Sequence, residues 1–274
     1  MLERVRSALP SLLFRLEGRV AFISGAAGHL GRSMAKGLAE VGAHVVLAGR
    51  TEEKLTALVD EFLAEGLDAS AAVVDVTDAE AVQRAFARIR EEHGRLDVLL
   101  NNAYEGASGT LETASVDAFA RAYDVAVIGA FRCIVAAKSL LRSAVQETGN
   151  ASVINIASMY GVVSPDLRTY DSPEESNPPF YGAAKAALLQ LTRYAACEYA
   201  REGIRVNAVS PGPFPKSEIC TQNPTFHQRL CAKTPLGRVG EAEELKGVVV
   251  FLASDAATYV TGINVPVDGG WTAW

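Results

Sequence analysis

The apolar positions of this chain fall in short, nearly unbroken runs that alternate with longer segments of helical period. Residues 19–24, 44–48, 69–74, 96–100, 152–156, 204–209 and 264–267 read as strands. Continuous apolar runs, rather than every-second-residue alternation, suit a sheet covered on both faces. Between them, apolar residues recur at three- and four-residue spacing over 30–41, 52–65, 79–93, 116–146, 186–199 and 242–252. That is the pattern of helices with one buried face, and Gly129 marks where the long 116–146 segment would bend. Strands alternating with helices across short connections predict a doubly wound α/β fold: a parallel sheet with right-handed crossovers and helices on both faces. Two irregular stretches, 164–180 and 212–234, follow strand ends, the edge where open α/β sheets hold ligands. No proline- or serine-rich linker and no internal repeat divides the chain. Residues 17–274 therefore read as one domain and 1–16 as an N-terminal arm.

Composition narrows the function classes. At 274 residues, 49% hydrophobic and 21% charged, the chain has the balance of a globular enzyme-sized protein. A net charge of -6 with no basic cluster argues against nucleic acid. No apolar run approaches the roughly 18 residues of a membrane span, so a small-molecule substrate is expected, with no membrane partner. Cys133, Cys197, Cys220 and Cys231 lack Cys-x-x-Cys spacing, and the four histidines are scattered, so no metal site is expected. The cysteines read as free thiols in a reducing, cytoplasmic compartment, with Cys133 and Cys197 packed in helices. Arg4, Arg6 and Arg15 flank a short apolar stretch that reads as an arm against the first strand; a transit peptide is the other reading, with Glu3 and the short length against it.

Chemistry enters at Tyr181-Gly182-Ala183-Ala184-Lys185, which opens the helix over 186–199. Residues i and i+4 stand one above the other on a helix, so a phenol and an ammonium would lie side by side. A tyrosine hydroxyl has a pKa of about 10, and a neighbouring cation favours the phenolate. The pair is a candidate acid/base device, although two surface residues at this spacing would look the same. A second candidate is Ser24-Gly25-Ala26-Ala27-Gly28-His29-Leu30-Gly31, between the first strand and the first helix. Glycines there permit a tight turn and close approach of a pyrophosphate to the helix N-terminus; a plain connection is the alternative. The second strand ends Ala48-Gly49-Arg50, with no carboxylate at 47–50 to bind ribose hydroxyls. Arg50 suits the 2′-phosphate of NADP, unless it only ends the strand in solvent, and NAD is the alternative cofactor.

In this order and at these strand ends, the motifs resemble the short-chain dehydrogenase/reductase family from Leu16 to Gly270. The glycine turn is followed by Asp75-Val76, Asn101-Asn102-Ala103, Ser158, Tyr181-x-x-x-Lys185, Pro211-Gly212 and Val267-Asp268-Gly269-Gly270. The resemblance implies a single-domain Rossmann fold and an oxidoreductase moving a hydride between nicotinamide and a hydroxyl or keto carbon. It implies that Tyr181 exchanges the proton, that Lys185 lowers its pKa and holds the nicotinamide ribose, and that Ser158 orients the substrate oxygen. Gly25, His29, Leu30, Gly31 and Arg50 would line the phosphate side. Asp75 and Val76 would meet adenine, Asn102 and Ala103 the ribose, and Pro211, Gly212 and Phe214 the carboxamide. A homodimer or homotetramer is implied, built through the C-terminal end and the helices around Tyr181 and Gly129. For the aromatic tail with Trp271 and Trp274, a monomer folding it inward is the other expectation.

The chain also departs from the family pattern. His29 stands at the usual middle glycine, where it would donate to a phosphate or swing outward. Ala126 stands where an asparagine usually completes a proton relay, so a water or a backbone carbonyl must substitute. Lys216 and Ser217 stand near the place of a usual threonine. Twenty-three residues separate Ser158 from Tyr181, about twice the usual spacing. The extra segment, 165–179, carries Asp166, Arg168, Tyr170, Asp171, Glu174 and Glu175. Lying between two implied catalytic residues, it suits a hydroxylated substrate such as a sugar, polyol or sugar acid; a solvated loop or an oligomer contact is the alternative. Tyr104 and Tyr160 would add hydroxyls at the same mouth. Two rival functions are a reductase of 3-oxoacyl or lipid ketones and a weakly active cofactor-binding protein.

Overall fold

The structure, a computed structural model, describes residues 9–274. The strands are β1 (Val20–Ser24), β2 (His44–Gly49), β3 (Ala69–Val73), β4 (Val98–Asn101), β5 (Ala151–Ile156), β6 (Ile204–Pro211) and β7 (Asn264–Val267). The first helices are α1 (His29–Glu40), α2 (Glu52–Ala64), α3 (Ala79–His93) and α4 (Val116–Tyr123). They are followed by α5 (Gly129–Thr148), α6 (Pro179–Tyr199), α7 (Ser217–Gln222), α8 (Pro224–Lys233) and α9 (Leu245–Ala253). All seven strands pair in parallel, in the order β3-β2-β1-β4-β5-β6-β7.

Successive strand residues point to opposite faces. Ala21, Ile23, Val45 and Leu47 enter one core with Met34 and Leu38 of α1, Phe62 of α2 and Val249 of α9. Phe22, Val46 and Leu99 enter the other with Phe86 of α3, Leu140 of α5 and Tyr199 of α6. Every residue of β1 is buried, so both of its faces are apolar and its sequence reads as a solid run. The doubly wound expectation holds. The crossover from β3 back to β4 leaves a crevice between the C-terminal ends of β1 and β4, the topological switch point.

Several expected elements differ. The 116–146 segment is α4, then a π turn at Asp124–Ile128, then α5. The π turn holds one residue more per turn than an α-helix, and Ala126 and Val127 within it are buried against Ala184 of α6. The irregular 212–234 stretch contains α7 and α8. Asn223 starts α8 by accepting from the Phe226 N–H at 2.9 Å, with Pro224 next. Only Leu230 of α8 is buried, which is why no apolar period announced it. Cys133 is buried as expected, whereas Cys197 is exposed on α6; all four thiols are free. Trp271 folds inward against Met159, Tyr160 and Leu230, while Trp274 is exposed. Of the expected arm, residues 1–8, with Glu3, Arg4 and Arg6, lie outside the described residues. Pro10–Phe14 forms one 3-10 turn, after which Leu16 enters the core and its N–H donates to the Val41 carbonyl at 2.8 Å.

Candidate active site

The glycine turn sits at the crevice as the spacing predicts. A Cβ on Gly31 would come 2.2 Å from the Gly25 carbonyl oxygen, so only glycine closes this turn. Gly28 is the N-cap of α1 and offers no side chain to its first N–H groups, which face the crevice mouth. Ser24 Oγ accepts from the N–H groups of Asn102 (3.0 Å) and Ala103 (3.1 Å), tying the β1 turn to the β4 end. Asn102 Nδ2 donates to the Gly25 carbonyl at 3.0 Å and braces the same turn.

Two adjoining pockets run from here. One is lined by Gly25, Leu30, Gly31, Asn102 and an exposed His29; the other by Asp75, Val76 and Ala103; both are bordered by Arg50 and Tyr104. Burial opposes ionisation of Asp75, yet the N–H and hydroxyl of Thr77 bring its carboxyl below the usual range. Arg50 is not alone. Its guanidinium donates to Glu105 at 2.6 Å, and Arg121 donates to the same oxygen at 3.1 Å. Arg121 first, then Arg50, hold the Glu105 carboxyl below its ordinary value. A glycine-only cradle, a free helix N-terminus and an arginine at the tip of β2 fit a phosphorylated dinucleotide.

The third pocket contains Ser158, Tyr181, Gly212 and Phe214. Ser158 lies two residues past β5, caps a 3-10 turn and accepts from the Tyr160 N–H at 3.1 Å, so its own proton can point outward. Two prolines, 178 and 179, stop the preceding loop and start α6. Gly182 lets α6 approach the Ser158 turn, since a Cβ there would lie 2.7 Å from the Tyr160 carbonyl. Lys185 is 3% exposed, in the buried stripe of α6 with Ala184, Leu188 and Leu189. Its Nζ donates to the Ile156 carbonyl at 2.7 Å and lies 5.7 Å from the Tyr181 ring centroid. Asn101 donates to Asn155 (2.9 Å) and Asn155 to Thr192 (2.9 Å), fixing α6 to the strand ends.

Burial raises the Tyr181 phenol above its ordinary value, and the Ser158 hydroxyl opposes the rise. Burial pushes Lys185 down to about 8. Tyr104 stands between the nucleotide crevice and this pocket, edge-on to Tyr181 with ring centroids 4.7 Å apart. Its hydroxyl is buried without a partner among the described residues, and burial raises its pKa.

Ser158 and Tyr181 thus share one pocket with Lys185 a turn behind. Pro211 is instead buried as the last residue of β6, paired with Val267. Sequence reasoning missed Glu105, Asn177, Phe226 and Leu230. Glu105 directly follows a flagged residue, and its charge opposite Arg50 is the one signal available; the others meet the site only through tertiary packing.

Residues 25–272 match the family model described as enoyl-(acyl carrier protein) reductase. The chain is 36% identical over 264 residues to gluconate 5-dehydrogenase of Gluconobacter oxydans (strain 621H), covering 95% of this chain and 97% of that one. It is 36% identical over 265 residues to trans-4-hydroxycyclohexanecarboxylate dehydrogenase of Sinomonas cyclohexanicum, covering 94% and 95%. Its fold matches a gluconate 5-dehydrogenase from Burkholderia cenocepacia J2315 in complex with NADP and tartrate. There the TM-score is 0.84 and the identity 33%, covering 96% of this chain and 98% of that one.

Proposed function

The chain belongs to the short-chain dehydrogenase/reductase family and is an oxidoreductase acting on CH–OH groups with NADP, and we propose that Ser158, Tyr181 and Lys185 carry its reaction. The substrate is a polar hydroxylated compound or its ketone, consistent with relatives named for gluconate and a hydroxycyclohexane carboxylate. The bound nicotinamide supplies or accepts the hydride. Tyr181, kept protonated by burial, donates to the ketone oxygen and in oxidation takes the alcohol proton. Ser158 donates to the same oxygen and holds it against the phenol. Lys185, with a pKa near 8, sits close to working pH and can replace the proton Tyr181 gives up. The Ile156 carbonyl accepts from Lys185 Nζ and orients the ammonium, and a water would deliver the proton in place of the side chain absent at Ala126.

On the nucleotide side, Gly25, Leu30 and Gly31 take the pyrophosphate, with exposed His29 at its edge. Asp75, Val76 and Ala103 take the adenosine half, and Arg50 takes the 2′-phosphate once it leaves Glu105. Gly212 and Phe214 face the nicotinamide end. A homotetramer is the proposed assembly, since Phe119, Tyr123, Phe131 and Val135 leave an exposed apolar face on α4 and α5. A cytoplasmic location agrees with four free thiols, and no helix among the described residues is long and apolar enough to cross a membrane.

The observation that carries the reading is the shared pocket of Ser158 and Tyr181 with buried Lys185 behind it. The test is a panel of polyols, sugars and cyclic alcohols with NADP and NAD, and of 3-oxoacyl thioesters with NADPH and NADH, followed by nicotinamide absorbance. Turnover of polar alcohols with NADP is expected; turnover of the thioesters alone would sink the substrate assignment.

A further inference from the structure

The pocket in front of Tyr181 is polar in part and uncharged throughout. Tyr160, Tyr170 and Asn177 give it two phenols and an amide, and Phe214, Phe226 and Leu230 supply its apolar part. Among the described residues, no cationic side chain lines it. Two cations stand nearby on α8, but the 165–179 segment brings their counterions. Arg229 donates to Asp171 at 2.6 Å, and Lys233 pairs with Asp166. Asp166 is held well below the usual carboxylate range by Arg168 and then Lys233, so both pairs stay ionised near neutrality. A substrate carboxylate would therefore lose water without gaining a free cation, an unfavourable exchange.

The same segment leaves two buried side-chain oxygens unmet among the described residues, Thr169 Oγ1 and Asn177 Oδ1, and of the two Asn177 lines the pocket. Asn177 Oδ1 is buried with no partner, whereas the Tyr160 and Tyr170 hydroxyls lie 3.2 Å apart and bond each other. Buried polar groups are nearly always paired, so this one awaits a ligand atom. A hydroxyl can serve either end of an amide, as donor to the oxygen or acceptor from the nitrogen. A site built to bond a hydroxyl discriminates strongly against analogues that lack it.

Resting on the oxidoreductase reading, we propose that the pocket takes a neutral substrate bearing a second hydroxyl, that Asn177 reads that hydroxyl, and that the matching hydroxy acid is disfavoured. The reacting oxygen meets Ser158 and Tyr181, while Asn177 sets the distance at which the second oxygen must lie. Each α8 cation already has a carboxylate partner on the 165–179 segment. Asn177 is a specificity-determining residue and takes no part in proton exchange.

The test uses the full chain saturated with NADPH, with which alcohols bind without reacting. Three ligands on one carbon frame are titrated by calorimetry: cyclohexanol, cyclohexane-1,4-diol and 4-hydroxycyclohexanecarboxylate. The diol is expected to bind at least about tenfold more tightly than the hydroxy acid, and more tightly than the mono-alcohol. In Asn177→Leu the diol's advantage over the mono-alcohol should fall to within about twofold, with mono-alcohol affinity unchanged. Asp171→Asn leaves Asn177 in place and releases Arg229, so hydroxy-acid affinity should rise about threefold or more. That second variant also decides the matter if Asn177→Leu does not fold. Equal binding of diol and hydroxy acid, equal weakening of diol and mono-alcohol in Asn177→Leu, or no gain in Asp171→Asn overturns the proposal. Binding selectivity decides this inference, whereas a diol that binds as expected but is never oxidised with NADP speaks against the oxidoreductase reading.

Discussion

At the N-terminal edge of the sheet, Arg19 donates to Asp97 at 3.2 Å and to Asp255 at 3.1 Å, and Asp97 also accepts the Val20 N–H at 2.9 Å. Arg205 beside them donates to Asn150 at 2.9 Å and to the Leu252 carbonyl at 2.7 Å. At the C-terminal edge, some five residues along the same strands, Lys185 meets one carbonyl and no carboxylate. Tyr104 and Asn177 there hold buried oxygens with no partner among the described residues. Both edges bury polar groups, but Arg19, Asp97 and Arg205 spend their hydrogen-bonding capacity inside the protein, whereas Tyr104 and Asn177 hold theirs in reserve. Removing a side chain should cost stability at the first edge and chemistry at the second.

The widest separation is expected from Tyr181→Phe. Turnover should fall by about a thousandfold or more while NADPH affinity, read by fluorescence, and Tm stay near wild type. A large loss of Tm would mean that this edge too is structural. The mirror experiment is Asp97→Ala, which leaves Arg19 with Asp255 as its remaining carboxylate and strands the Val20 N–H. A loss of about 3–5 kcal/mol is expected, lowering Tm by roughly 10 °C, with turnover per folded molecule little changed.

Lys185→Met probes both kinds of behaviour in one residue. The amine titrates near 8 when folded against 10.5 for the ordinary side chain. Below pH 8 both folded and unfolded chains hold the proton, and the burial penalty is fully present. Between pH 8 and 10.5 the folded chain releases its proton first, so wild-type stability gains with rising pH. The variant should therefore be more stable than wild type at pH 7, by up to about 3 kcal/mol, and should lose that advantage by pH 10.5. Urea denaturation of the cofactor-free chain across this range reads the crossover, and turnover should be largely lost throughout. The smallest effect is expected at Arg50→Ala, where NADPH binding should weaken about tenfold and NADH binding by less than twofold. Equal losses for both cofactors would move the 2′-phosphate away from Arg50.

The sheet was legible because strands such as β1 are buried on both faces and leave unbroken apolar runs. The meeting of Ser158, Tyr181 and Lys185 was legible for a different reason: strand ends converge on one edge, and four residues make about one helical turn. Cys197 was misplaced, although helix phase could have corrected it, since 185, 188, 189, 192, 195, 196 and 199 form the buried stripe and 197 lies off it. The counterions of α8 had no such signal. Asp166 and Lys233 are 67 residues apart, and Asp171 and Arg229 are 58. Glu105 meets Arg50 across 55 residues. Charge pairs of that span are set by the folded surface, and no local period records them. The π turn was hidden because α and π geometry share nearly the same apolar spacing over five residues.

That turn gives the chain slack in length. Because it holds one residue more per turn than an α-helix, deleting one residue from Asp124–Ile128 would restore an α turn and leave Gly129 to Thr148 in nearly the same phase. A second deletion would have no such slack and would turn everything beyond it by about 100° about the helix axis. Phe131 and Val135, now facing outward, would then be driven towards new neighbours, and Cys133, Ile134 and Ala137 would leave the core. Along this helix one residue can be lost and a second cannot.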